Sequence, residues 1–112
     1  MLESISGDLI RGNIDTIILK VLFYKDNYGY EIIKTIKEDS GGLYELKEPT
    51  LYSSLKRLEG QGMIESYWGN ETQGGRRKYY KITEEGRNLY RKNYKAWKNA
   101  RDLIDILIEI KE

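Results

Sequence analysis

The 112-residue sequence contains no cysteine and no histidine, a single proline and a single phenylalanine. Without cysteine there is no disulfide framework, and without histidine or cysteine there is no imidazole or thiolate to hold a metal. Zinc chemistry, cysteine nucleophiles and Ser-His triads are therefore excluded. No apolar run approaches the ~20 residues of a membrane span. The stretch MLESISGDLI lacks a basic segment followed by an apolar core, which predicts an unprocessed, cytoplasmic protein without a membrane partner. No paired carboxylates fall on one predicted face, so neither an enzyme nor a cofactor is expected. Ser53-Ser54-Leu55-Lys56 fits S-x-x-K but lacks the companion S-D-N and K-T-G elements, and is read as chance.

Charge of one sign is also scarce overall, with 19 Lys and Arg against 18 Asp and Glu, net +1. The average hides an asymmetry. Residues 1–73 carry 8 positive and 12 negative charges, net −4; residues 74–98 carry 9 and 2, net +7; residues 99–112 carry 2 and 4, net −2. A polyanion would meet a basic band on an otherwise acidic molecule. A chain of this length makes one compact domain with a modest core and leans on a partner, so a homodimer is expected.

The apolar positions Ile14, Ile17, Ile18, Val21 and Leu22 recur at helical spacing behind Asn13, an N-cap residue, and Asp15 suits the positive end of the dipole. After a turn at Asp26-Asn27, a short helix over Tyr30–Lys37 presents Ile32, Ile33 and Ile36 and stops at Ser40-Gly41-Gly42. Leu43–Leu46 is long enough only for a short strand. Pro49 opens a third helix running to Glu59, in which ~100° per residue gathers Leu51, Leu55 and Leu58 on one side. The same rotation turns Pro49, Ser53, Lys56 and Gly60 outward, with Thr50 and Arg57 on one flank and Tyr52 on the other. Met63–Trp68 and Arg76–Ile82 read as the strands of a hairpin with a Gly69–Gly75 tip. Thr83 caps a last helix reaching about residue 110, whose Trp97, Ala100, Ile104 and Leu107 form a seam flanked by Leu103, Ile106 and Ile110.

Helix, helix, strand, helix and hairpin is the order of a winged helix-turn-helix, an α+β but mainly α fold in which the third helix enters a DNA major groove and the hairpin reaches the adjacent backbone or minor groove. On the residues alone, the basic run Gly74-Gly75-Arg76-Arg77-Lys78 is either a phosphate contact or a solvated tip. Likewise Ser53, Ser54, Lys56 and Arg57 either belong to a DNA-reading helix or simply solvate its amphipathic face, and a lone Trp97 at helical spacing is more often a core residue. A winged fold that binds another protein, its cations serving only solubility, is the competing reading.

Several spaced motifs resemble the PadR family of bacterial transcriptional regulators: Leu9-Ile10-Arg11-Gly12-Asn13, Tyr28-Gly29-Tyr30-Glu31-Ile32, Pro49-Thr50-Leu51-Tyr52, Leu55-Lys56-Arg57-Leu58-Glu59, Gly74-Gly75-Arg76-Arg77-Lys78-Tyr79-Tyr80 and Thr83-Glu84-Glu85-Gly86. The resemblance covers nearly the whole chain. Its single short last helix and Ser66-Tyr67-Trp68-Gly69 are similar to the small subfamily typified by a multidrug-responsive repressor. The resemblance implies a dimeric repressor on a palindromic operator in double-stranded DNA, with residues 1–83 as the DNA-binding domain and 84–112 as the dimerisation helix, the first few residues joining the dimer core. It assigns recognition to Thr50, Tyr52, Ser53 and Lys56, backbone contacts to Tyr30, Lys34 and Lys47, and the wing contact to Gly75, Arg76, Arg77 and Lys78. It also implies that Trp97 and its dimer mate line a flat pore for a small planar aromatic ligand. Lys20 and Arg101 depart from the multidrug pattern, being cationic where the resembled repressor has an amide and an acid, and predict a preference for neutral or anionic aromatics.

Overall fold

In a computed structural model, residues 6–70 and 75–112 are described; Gly74 of the basic run and the expectation for the first few residues lie outside them. Short α1 (Gly7–Ile10) and a 3-10 turn (Arg11–Asn13) lead into α2 (Ile14–Tyr24), then β1 (Asn27–Tyr28), α3 (Gly29–Asp39), α4 (Glu48–Gly60), β2 (Ile64–Trp68), β3 (Lys78–Ile82) and α5 (Glu84–Ile108). The three strands form one antiparallel sheet in the order β1-β3-β2. The winged helix-turn-helix arrangement expected from the element order is present.

Each core helix forms where its apolar spacing dictates. Ile18, Leu19 and Leu22 of α2, Ile32 of α3, and Leu51, Leu55 and Leu58 of α4 are essentially inaccessible and converge on Ile64 of β2 and Tyr80 and Ile82 of β3. Complete burial of one such side chain contributes roughly 1.5–3 kcal/mol, which is why the narrow apolar stripe of α4 suffices to seat it. Pro49 lies in the first turn of α4, where a missing N–H costs nothing.

Three local expectations need correction. Asn27-Tyr28 is not simply a turn but a third strand, pairing Asn27 with Tyr80 and Tyr28 with Tyr79. A two-residue strand has no alternation to read and exists only because β3 offers it an edge. Residues 43–46 form no strand: the hydroxyl of Ser40 accepts from the Tyr44 N–H at 3.1 Å and donates to the Lys37 carbonyl, closing a local loop that satisfies the backbone instead, while Leu46 drops into the core. The hairpin strands begin at Ile64 and Lys78 rather than Met63 and Arg76, leaving the two wing arginines outside the ladder.

The last helix is joined to the wing by a tight seat. The Thr83 hydroxyl accepts from the Gly86 N–H at 3.0 Å, and the Thr83 N–H donates to the Met63 carbonyl at 3.0 Å. Gly86 packs so closely here that a Cβ would lie 2.7 Å from Ile82 Cγ1 and nearer still to the Met63 carbonyl oxygen. Beyond this seat α5 runs along α2 and then leaves the body of the protein, so that Leu103, Ile104, Ile106, Leu107 and Ile108 are all more than half exposed.

Candidate nucleic-acid interface

α3, α4 and the wing meet on one face. The core stripe of α4 leaves Thr50, Tyr52, Ser53 and Lys56 exposed on the opposite side, a surface of hydroxyls and one cation with little apolar bulk. Ser54, read as solvated from its neighbours, is buried, and its hydroxyl accepts from Arg57 at 3.1 Å. Arg57 is a structural clamp. Its guanidinium grips Asp15 of α2 with both Nε and Nη2, at 3.0 and 2.6 Å, fixing α4 to the scaffold in a two-point geometry that a lysine could not reproduce. The Asp15 carboxylate holds the guanidinium pKa above its usual value.

Between these elements lies a hollow of about 440 Å3 lined by Tyr28, Tyr30, Tyr52, Arg77, Lys78 and Tyr80. Gly29 makes its floor: a Cβ there would stand 2.9 Å from Tyr52 Cζ and closer to the hydroxyl, so only glycine lets the α4 tyrosine lie against the start of α3. Burial, then the Glu59 carboxylate and Tyr52, raises the Tyr80 pKa above the ordinary phenol value. Tyr30 is exposed on α3, and Lys34, four residues further along the same helix, is exposed but is not among the residues that line the hollow. Lys47 stands apart from it, with its ammonium 2.9 Å from Glu45. The hydrogen bond from Lys47, followed by its charge and by Lys37, pulls the Glu45 carboxyl below its usual range.

The wing cations are held by aromatic rings. Arg76 lies over Trp68 of β2 at 5.6 Å, Arg77 over Tyr28 of β1 at 4.6 Å, and Lys78 over Tyr80 at 5.8 Å. Behind Tyr28 the rings continue through Tyr79, at 5.5 Å, to Tyr67, stacked at 5.7 Å. The Tyr67 hydroxyl donates to Asp26 at 2.6 Å, and this hydrogen bond to a carboxylate pushes its pKa up to about 12. Gly75 carries φ of +90°, a left-handed conformation that glycine enters at no steric cost, where the tip turns back into the ladder.

A second concavity, a groove of about 450 Å3, lies between α2 and α5. Lys20 and Trp97 line it, together with Ile17, Tyr44 and two aromatic residues that sequence reasoning missed, Tyr90 and Tyr94. The signal was available in the spacing of Tyr90, Tyr94 and Trp97 on one side of a helix. Tyr94 stacks on Trp97 at 6.3 Å. Arg101 does not line the groove itself; it lies over the Trp97 ring at 5.1 Å and pairs with Asp102 at 3.0 Å. The Lys20 ammonium is 3.5 Å from Asp39, so both cations have a carboxylate beside them.

The basic surplus of the last helix is laid over aromatic surface in the same manner. Arg87 and Arg91 both face the Phe23 ring, at 4.4 and 5.4 Å, and Lys98 faces Tyr94 at 4.5 Å. Past Arg101 the charges on α5 change sign, to Asp102 and Asp105. Among the described residues no helix is long and apolar enough to cross a membrane.

Comparison with known proteins places this arrangement among regulators of transcription. Residues 18–92 match the family described as the transcriptional regulator PadR-like family. An uncharacterised protein of Lysinibacillus sphaericus is 40% identical over 94% of the chain and 96% of its own length. The transcriptional regulator YqjI of Escherichia coli is 32% identical over 73% of the chain, which spans only 38% of that longer protein. Among solved structures, a transcriptional regulator from Clostridium thermocellum is 47% identical, with a TM-score of 0.86 over 94% of this chain and 99% of that one. A PadR family regulator from Clostridium difficile is 39% identical, with a TM-score of 0.75 over 87% of this chain and 99% of that one.

Proposed function

The chain belongs to the transcriptional regulator PadR-like family, and we propose that it acts as a homodimeric repressor that occludes a promoter by seating α4 of each protomer in a major groove of a palindromic operator. The family's work is non-enzymatic DNA binding, and the catalytically poor composition agrees with it. The observation that carries the proposal is the convergence of Tyr30, Tyr52, Arg77 and Lys78, from α3, α4 and the wing, around one hollow. In this reading Thr50, Ser53, Lys56 and Tyr52 face base edges, and Tyr30, Lys34, Lys47, Gly75 and Arg76 to Lys78 meet phosphates or the minor groove. Residues 1–83 then form the DNA-binding unit.

Residues 84–112 form the dimerisation helix in this proposal. The support is the row of exposed leucines and isoleucines at the end of α5, which a monomer would leave in water. An antiparallel pairing of two such helices brings the basic first part of each toward the acidic end of the other, giving the isologous contact that two-fold symmetry demands. The groove beside Trp97 then takes a planar aromatic effector against Tyr94 and Trp97, as in the small multidrug-responsive subfamily. With the Lys20 ammonium on the groove wall and the Arg101 guanidinium over the Trp97 ring, a neutral or anionic aromatic fits better than a cationic dye, which would meet like charge at both.

Selecting bound fragments from the protein's own genome, followed by footprinting, tests the reading. The expected result is a symmetric footprint with half-sites about one DNA turn apart, and a dimer in sedimentation at micromolar concentration. A single asymmetric half-site, or a monomer on the operator, would overturn it.

A further inference from the structure

We propose that Trp68 is a positioning residue of the DNA interface: its ring holds the Arg76 guanidinium before DNA arrives, while Tyr28 does the same for Arg77, so that the wing presents two arginines at fixed, divergent places. This inference rests on the DNA-binding reading and names residues outside the recognition helix and the basic run itself.

The argument begins from the hairpin. Arg76 and Arg77 lie beyond the ladder, where residue 78 is the first of β3, and the nearby Gly75 gives the backbone no stiffness of its own. A free arginine side chain there would lose rotamer entropy on being fixed against a phosphate. The sheet supplies a support on each side. Since β3 lies between β1 and β2, Arg77 reaches one neighbour, stacking over Tyr28 at 4.6 Å, and Arg76 reaches the other, over Trp68 at 5.6 Å. The hydrogen bond from the Gly69 N–H to the Arg77 carbonyl, at 2.7 Å, extends the hairpin one step past the ladder and keeps these partners in register.

Trp68 itself is unexplained by the core. It is 57% exposed at the end of β2, opposite Lys78. Its ring is occupied by the Arg76 guanidinium, and indole is the strongest of the side-chain platforms for a cation. The guanidinium keeps its N–H edge free while its plane is occupied, so stacking on the ring and hydrogen bonding to a phosphate are compatible.

The test is a double-mutant cycle on the full-length chain, with a fluorescently labelled random-sequence duplex at low salt. Trp68→Leu should weaken binding about 2–5-fold, the range of one exposed cation–π contact, and Trp68→Phe should restore most of the loss. In an Arg76→Ala background Trp68→Leu should have no further effect, because its action passes through that arginine. Without DNA, the Arg76 side-chain protons should lose an upfield ring-current shift in Trp68→Leu. Multiplicative losses in the double variant, or an unshifted Arg76 in the parent protein, would overturn the positioning role. Failure of the unmodified protein to bind any duplex would instead overturn the DNA-binding reading, and the proposal with it.

Discussion

Gly86→Ala lowers stability, although helix propensity alone predicts the opposite. In an exposed helix interior this exchange gains up to ~1 kcal/mol, because alanine has less backbone freedom to lose. At Gly86 the new methyl would stand 2.7 Å from Ile82 Cγ1 and closer to the Met63 carbonyl oxygen, which is backbone and part of the hairpin. An ordinary carbon–carbon contact needs ~3.5–4.0 Å, so α5 must move away from β2 and β3 by the better part of an ångström. Such overpacking costs about 1–3 kcal/mol. The same movement stretches the Thr83 cap, whose hydroxyl accepts from the Gly86 N–H at 3.0 Å, at a further cost of ~1 kcal/mol. Net destabilisation of ~1–3 kcal/mol corresponds to a fall in Tm of roughly 4–15 °C for a chain of this size. Thermal unfolding followed by circular dichroism, at one fixed protein concentration so that association does not confound it, measures the difference. Gly60→Ala is the internal control: beyond its chain neighbours and the backbone of its own helix, no atom lies within 4 Å of its Cβ position, and its Tm should hold or rise. A Gly86→Ala protein as stable as the parent would refute the tight seat.

The remaining predictions address the clamp, the wing, the last helix and one phenol. Asp15→Asn removes one ionic partner of Arg57 and should cost ~1 kcal/mol in chemical denaturation, less than a buried pair because the guanidinium is half exposed. Arg76→Ala with Arg77→Ala should weaken binding to operator and random duplex alike and flatten the salt slope by ~1–2, read from titrations at several salt concentrations. Ile104→Asp with Leu107→Asp should convert the proposed dimer to a monomer in sedimentation without loss of the helical circular-dichroism signal, since both side chains are exposed in the single chain. Tyr67 keeps its proton to about pH 12; its folded pKa exceeds the unfolded value near 10, so its hydrogen bond to Asp26 is fully stabilising below pH ~10 and is lost as the pH rises through 12. Tyr67→Phe should therefore delete a phenolate absorbance step near pH 12 and none near pH 10.

What the sequence disclosed was whatever is local and periodic. The leucines at 51, 55 and 58 placed α4 and its outward face because a helix of that pattern has only one way to lie on a core. The Thr83 cap and the start of α5 were legible for the same reason. Contacts across the chain were not. Arg57 looked like a solvated flank residue because Asp15 is 42 positions away, and Ser54 looked exposed because nothing in its neighbours announces the clamp above it. The strand at Asn27-Tyr28 is invisible without β3, and the aromatic supports of the wing depend on that strand. Of the groove wall the sequence points to Trp97 and Lys20, whereas Tyr90 and Tyr94 build as much of it.

The two-residue strand β1 also has a mechanical consequence. It couples the start of α3 to the wing through β3, while Arg57 bolts α4 to α2, so α3, α4 and the wing form a single stiff body. In the proposed dimer, a push transmitted along α5 would swing that body as a whole and leave its internal angles alone. An effector acting there would change how far apart two such bodies stand without changing which bases each prefers: induction would alter spacing, and the vocabulary of the half-site would stay constant.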